Sequence, residues 1–242
     1  EPISESADRG SFAVTRWTLV LSAARGVQTP RATTAMAELC RIYWYPLYAF
    51  IRRRGHSSHD AEDLTQAFFA KLLDKQFLAA ADREAGRFRT FLLMAVKRFL
   101  ANEQEAAQAK KRGGGKHIIP LDGLEPEARY HLEPADTLSP ERLFEQQWAV
   151  ALLDHVLSRL RHDMATQGKA VQFDSLKTHL AGAGDENYAT TTVRLGISEG
   201  AVKVAVHRLR RRYRELLRKE IEHTIASPDE VEDEIRYLFT CL

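Results

Sequence analysis

The chain has 242 residues, a formal net charge of +2, 28% charged residues and 44% hydrophobic residues, which is an ordinary composition for a soluble protein of one or two domains. No apolar run approaches the length of a membrane span, so a membrane protein is excluded, and no secretory leader is expected. The two cysteines, Cys40 and Cys241, lie far apart without CxxC spacing, which excludes a cysteine zinc site and points to a reducing, cytoplasmic setting.

In chain order the apolar residues fall almost throughout at helical spacing, so an all-α fold is expected. Residues 1–6 read as disordered. A short helix is expected from Phe12 to Ala24, carrying Trp17, Val20 and Leu21. Thr29-Pro30 reads as a cap and a first-turn proline that open a long helix to Arg54, which Pro46 should bend or break and Gly55 should end. Ser57 or Ser58 opens the next helix, with Ala61, Leu64, Phe68 and Leu72 inward. Its first turns carry Asp60, Glu62 and Asp63. Carboxylates there favour the positive end of the helix dipole, so capping explains one or two of them. A protein-binding face including Gln66 is the second reading, and a catalytic carboxylate cluster the third.

From Phe88 to about Ala107 aromatics interleave with Arg87, Arg89, Lys97, Arg98 and Asn102, a composition suited to unstacked bases, although Phe88, Phe91, Leu92, Ala95 and Phe99 equally suit a core. Lys110, Lys111, Arg112 and Lys116 would extend that basic surface. Residues 110–140 are punctuated by glycine and proline, and residues 117–145 carry a net charge of −5, so no regular element is expected and an acidic tether is. Ser139-Pro140 then starts a long amphipathic helix marked by Phe144, Trp148, Leu152, Val156 and Leu160.

The most informative stretch is Tyr188 to Leu217. Gly196 supplies a tight reversal, and Ser198 caps a second helix whose inner stripe is Val202, Val206, Leu209 and Tyr213. Its other face carries Lys203, His207, Arg208, Arg211 and Arg212. Residues 194–219 hold nine basic residues against two acidic ones, a local net of +7. A solvated basic helix would share the charge, but turn, stripe and charge together make a helix-turn-helix whose second helix suits a DNA major groove. Glu199, Lys203 and His207 are best placed to reach base edges.

The order DAEDLTQ, FRTFLLMAVKRFLANE, acidic linker and YATTTVRLGISEGAVKVAVHRLRR resembles the extracytoplasmic-function (ECF) group of bacterial sigma factors over residues 12–219. Tyr43-Trp44-Tyr45-Pro46-Leu47-Tyr48 is similar to that family's kinked first helix. The resemblance implies two helical domains, sigma domain 2 over residues 12–108 and sigma domain 4 over residues 140–220, joined by a linker at 109–139 and followed by a tail helix at 227–242. It implies that Asp60, Glu62, Asp63 and Gln66 dock on core RNA polymerase. Arg87, Arg89, Lys97, Arg98 and Asn102 would lie at the minus-ten element of promoter DNA. Ser198, Glu199, Lys203, His207, Arg208 and Arg211 would lie at the minus-thirty-five element. The acidic linker would thread the polymerase cleft. No catalytic residue, metal or cofactor is implied, and an anti-sigma factor is an expected kind of regulator.

Two departures stand out. Thr190, Thr191 and Thr192 are β-branched and lower helix propensity in the first helix of the turn motif, which should be weak or unusually packed. The tail opens on Ser227-Pro228-Asp229-Glu230, a capping-box pattern, and has Val231, Ile235, Leu238 and Phe239 as a stripe and a net charge of −6 over residues 220–242. It either inhibits intramolecularly, by folding over the basic helix, or completes that domain's core. Two other functions compete: an autonomous helix-turn-helix regulator, and an enzyme using Asp60, Glu62 and Asp63 with a divalent metal.

Overall fold

The computed structural model describes residues 30–72, 87–109, 126–132, 138–180, 188–225 and 227–242, and every regular element among them is a helix. The helix expected over Phe12–Ala24 and the basic residues Lys110, Lys111, Arg112 and Lys116 lie outside the described residues. Helix α1 spans Pro30–Arg53 and runs unbroken through Pro46. An interior proline costs about 3 kcal/mol through the lost hydrogen bond and the crowded preceding turn. Here Tyr45, Leu47, Tyr48, Phe50 and Ile51 around it are all buried, at about 1.5–3 kcal/mol for each large apolar side chain, and burial prevails over the break. Gly55, at φ +92°, turns the chain away after Arg54.

Helix α2, Ser58–Leu72, is capped by Ser57, whose Oγ accepts the Asp60 N–H at 3.1 Å. It buries Ala61, Thr65, Phe68, Phe69 and Leu72, while Leu64 is only partly covered. Helix α3, Phe88–Ala109, closes this layer through Phe88, Leu92, Val96 and Phe99, with the Phe68 and Phe99 rings 5.7 Å apart.

Within the stretch expected to lack regular structure, Pro126–Tyr130 forms a short helix, α4. The Glu127 carboxylate accepts from Arg52 Nε at 2.9 Å and Nη2 at 2.6 Å, and from the Tyr48 hydroxyl. The Arg52 guanidinium lies 4.9 Å from the Tyr130 ring centre, and that of Arg129 lies 3.8 Å from Tyr45 and donates to Gln147 at 3.1 Å. Five residues are too few to hold a helix by propensity. These side-chain anchors do it instead, which is why composition did not reveal the element.

Helix α5, Pro140–Thr166, starts as its sequence predicts: Ser139 Oγ accepts the Arg142 N–H at 3.3 Å, and Pro140 occupies the first turn. Phe144, Trp148, Leu152, Val156 and Leu160 are all buried. Its first half lies on α1, where Trp148 Nε1 donates to the Tyr43 hydroxyl at 3.1 Å and the Phe50 and Phe144 rings meet edge to face at 6.5 Å. Its second half carries α6 (Ala170–Leu176), a 3-10 turn at Lys177–His179, α7 (Ala189–Leu195) and α8 (Glu199–Glu222). The Tyr213 hydroxyl donates to the Leu153 carbonyl at 3.3 Å, and Arg212 pairs with Asp163 at 3.1 Å.

The tail begins as a 3-10 turn at Pro228–Glu230 and continues as α9, Val231–Thr240. The helix has no side-chain cap; the Ser227 main-chain carbonyl accepts the Glu230 N–H at 3.1 Å instead. Val231 and Leu238 are buried as the stripe predicts, but Phe239 is 58% exposed. The stripe's third inward position is taken by Glu234.

The Arg52 bonds, against the opposing effect of burial, hold the Glu127 carboxyl at about 2, below its ordinary 4.5. A carboxyl depressed in the folded state stabilises fully above the ordinary value and loses that contribution as pH falls toward the folded value. The urea-stability difference between the native chain and Glu127→Gln is therefore expected to be present at about pH 6 and to shrink between about pH 4.5 and about pH 2.

Candidate nucleic-acid interface

The helix-turn-helix is built by three backbone devices. Gly196 adopts φ +64°, and its N–H donates to the Thr192 carbonyl at 2.9 Å, ending α7. Ser198 is extended, and its Oγ accepts the Ala201 N–H at 3.3 Å, starting α8. Val202, Val206 and Leu209 are buried beneath it, with Tyr213 partly covered. Helix α7 is held by tertiary contacts. Thr191 is buried with its Oγ 2.8 Å from His179 Nε2, and the His179 ring lies 4.9 Å from Tyr188. Arg210 donates to the His179 carbonyl through Nε at 3.0 Å and Nη2 at 2.7 Å, so this arginine of the basic helix faces inward and locks α8 to the 3-10 turn.

The outer side of α8 is open. Glu199, Lys203, His207 and Arg211 form one row at four-residue spacing, with Arg208 beside it, and all five are exposed, as is Ser198. Lys203 pairs with Glu199 at 2.7 Å, and Arg211 with Glu215 at 3.0 Å. The Arg211 bond, with Arg212 beside it, holds the Glu215 carboxyl below its ordinary range. At such exposure these pairs are screened by water and salt and add little to stability. A phosphate or a base edge can therefore compete for the same cations.

In comparisons of the chain with protein-family models, with curated proteins and with solved structures, nothing matches.

The basic residues expected beside α3 divide into two groups. Arg98 and Asn102 are exposed, and Lys97 is partly exposed, pairing with Glu141 at 2.7 Å. That bond, as its largest cause, holds the Glu141 carboxyl below its ordinary range. Arg87 and Arg89 instead converge on Glu234 of the tail. Arg87 Nε lies 2.8 Å from Glu234 Oε2, and Arg89 Nε 2.7 Å from Oε1. Glu234 is 1% exposed and Arg89 6%. The Arg89 guanidinium is also 3.5 Å from Glu145 and stacks 5.0 Å from the Trp148 ring and 4.0 Å from that of Tyr237. Burial works against its charge, but the Glu234 bonds and the field of Glu234, Tyr237 and Glu145 more than offset it, and its pKa stands above the ordinary value. In this arrangement Arg89 is a core residue with no face to offer a nucleic acid.

On α2, Glu62, Asp63 and Gln66 are partly exposed on the side away from the buried residues, and His59 lies 3.7 Å from Asp63. Asp60 is exposed and accepts from the Ser57 hydroxyl at 2.6 Å, so capping accounts for it. Among the described residues no group of three or more His, Cys, Asp or Glu is placed to hold a metal ion, and no helix is long and apolar enough to cross a membrane.

The tail leaves the row at the start of α8 uncovered. Its ties are to the far end of that helix, through Arg218 and Glu232, and to α3, through Glu234 with Arg87 and Arg89. Sequence reasoning missed Glu234 and Glu127, yet Glu234 carried a signal. It sits between Val231 and Leu238 on the inward stripe of α9, as Arg89 sits beside Phe88 and Leu92 on that of α3. An acid and a base each stranded on an apolar stripe call for one another.

Removing one partner of such a buried pair leaves uncompensated charge. Glu234→Ala is expected to cost about 3–5 kcal/mol in urea unfolding. Arg236→Ala breaks only the exposed pair with Asp233 and should change stability by less than about 1 kcal/mol.

Proposed function

We propose that this chain is a promoter-specificity subunit, a sigma factor of the extracytoplasmic-function type that binds core RNA polymerase and directs it to promoter DNA. The observation that carries the reading is the exposed row Ser198, Glu199, Lys203, His207, Arg208 and Arg211 on a capped helix directly after the left-handed Gly196. A helix presented this way enters a major groove with its first turns against base edges. Lys203, His207 and Arg208 donate to bases and phosphates, and Glu199 accepts from a cytosine amine. Glu62, Asp63 and Gln66 form the polymerase-docking face, and Lys97, Arg98 and Asn102 the surface near the melted element. The blocks at 12–108 and 140–220 act as sigma domains 2 and 4, and the linker at 109–139 enters the polymerase.

This assignment carries a geometric requirement. Lys97 is tied to Glu141 in the first turn of α5, and Arg212 to Asp163 near its end. Those acids are about 33 Å apart at ~1.5 Å per residue. Elements centred ten and thirty-five base pairs from a start site are about 85 Å apart at ~3.4 Å per base pair. Simultaneous engagement therefore requires the blocks to separate, which breaks the Arg87–Glu234, Arg89–Glu234 and Lys97–Glu141 pairs.

Run-off transcription with bacterial core polymerase tests the reading. The chain is expected to give promoter-dependent transcripts, and Asp60→Ala/Glu62→Ala/Asp63→Ala to abolish them while leaving duplex binding intact. Duplex binding without any response from core polymerase would instead favour an autonomous helix-turn-helix regulator. Binding should weaken steeply with salt, and Arg208→Ala should lower the log–log salt slope by about 0.9 for the one phosphate contact it removes.

A further inference from the structure

The Glu234 carboxylate occupies a site built to hold an oxyanion. Arg87 Nε lies 2.8 Å from its Oε2 and Arg89 Nε 2.7 Å from its Oε1, with Arg89 Nη2 reaching Oε2 as well at 3.3 Å. Two guanidinia thus grip both oxygens, and arginine offers phosphate oxygens the same planar, two-point geometry. The two arginines flank Phe88, the first residue of α3, where the helix dipole also favours an anion. Beside them Phe91 is only partly covered, its ring stacked at 6.2 Å on that of Phe88. Arginines with an adjoining aromatic are the chemistry that holds a single nucleic-acid strand.

Access to this site is uneven. Arg89 and Glu234 are sealed, but the Arg87 side chain is 29% exposed and meets a solvent anion first. The cover over them is short. Helix α9 has ten residues, of which Val231, Glu234 and Leu238 are buried, so one of its three inward contacts is ionic. A segment held by so few buried apolar contacts opens at the low end of a molecule's local stabilities. Directly after it stands Cys241, 8% exposed, whose thiol burial holds above the ordinary range. That thiol is a built-in reporter of whether the tail is seated.

We propose that Arg87 and Arg89 form a concealed phosphate-binding site for single-stranded DNA, and that Glu234 of the tail is its intramolecular competitor. The tail and a strand are then mutually exclusive ligands of α3. Such coupling is reciprocal, so the strand loosens the tail by the same factor by which the tail weakens the strand. A strand enters at Arg87, displaces Glu234 from it, and gains Arg89 as α9 lifts. The site rests on the promoter reading for the placing of a strand at α3. The tail therefore screens that surface and leaves the row on α8 open.

Iodoacetamide labelling of the full chain, with Cys241 and Cys40 quantified separately by peptide mass spectrometry, tests this. Cys40 packs against the core from α1 and reports loosening of the whole fold. Glu234→Gln is expected to speed Cys241 labelling by about tenfold or more while Cys40 keeps its native rate. A thymidine oligonucleotide of about 12 residues should speed Cys241 in the native chain, and the peptide nucleic acid of the same sequence, which lacks phosphates, should not. Arg236→Ala, at an exposed tail position, should change neither thiol. If Glu234→Gln speeds both thiols, Arg87→Gln decides, because that side chain is part-exposed: selective acceleration of Cys241 supports the proposal and a native rate overturns it. A native Cys241 rate in Glu234→Gln, no response to a saturating oligonucleotide, or an equal response to the uncharged analogue would each overturn it too. Run-off transcription reads the promoter assignment separately. A chain inactive with core polymerase whose Cys241 still answers to the oligonucleotide loses that assignment and keeps this site.

Discussion

The ion pair between Arg89 and Glu234 is the constraint on which the rest of the architecture depends. It joins residues 145 positions apart, is nearly sealed from water, and is flanked by Trp148 and Tyr237. Burying a carboxylate and a guanidinium is costly unless each meets the other in good geometry with further bonds around them. Here Arg87 adds a second cation to the same carboxylate, and Glu145 a second anion to the same guanidinium. The start of α3, the first turns of α5 and the tail helix α9 must therefore be in register together. A tail that was merely appended would have no reason to carry a charge inward.

Helix α5 converts that local constraint into a global one. Trp148 bonds to Tyr43 of α1 while the same helix, further along, receives Tyr213 and Arg212 of α8. The aromatic cluster Tyr43, Phe88 and Trp148 surrounds the ion pair, with the Tyr43 and Phe88 rings perpendicular at 5.2 Å. Burial pushes the Tyr43 hydroxyl well above its ordinary pKa, so it remains a neutral partner for the indole. One rod thus serves two cores. The proposed function requires the rod to part from one of them, and the part-exposed Lys97–Glu141 pair is where salt acts first, ahead of the sealed Glu234 carboxylate.

The helix-turn-helix shows how a weak local sequence becomes a defined element. Three consecutive threonines disfavour α7, but Thr191 gains a buried bond to His179, and the Thr192 carbonyl receives the amides of Gly196 and Ile197. Arg210 fastens α8 to the same histidine's main chain. The basic face is consequently divided by role. Arg210 and Arg212 hold the fold, while Lys203, His207, Arg208 and Arg211 remain outward.

Local signals settled what local physics governs. Thr29-Pro30 and Ser139-Pro140 placed the starts of α1 and α5, Gly55 and Gly196 placed reversals, and the spacing of Val202, Val206 and Leu209 identified the buried side of α8. Each depends on a few neighbouring residues and their backbone preferences, so each was legible in the chain, as was the exposed basic row. Long-range charge pairing was not. Arg89 was read as a surface cation because nothing within a helical turn of it announces Glu234, and residues 126–130 were read as coil because their helix exists only against Arg52, Tyr48 and Tyr45. The same holds for Pro46, whose local penalty was overruled by burial on α5. The sequence by itself determined most helices and turns, the caps of α2, α5 and α8, and the positive sign of the outer face of α8. Only the tertiary structure decided which charges are interior, because the low dielectric that makes an ion pair obligatory exists only once distant segments have excluded water around it.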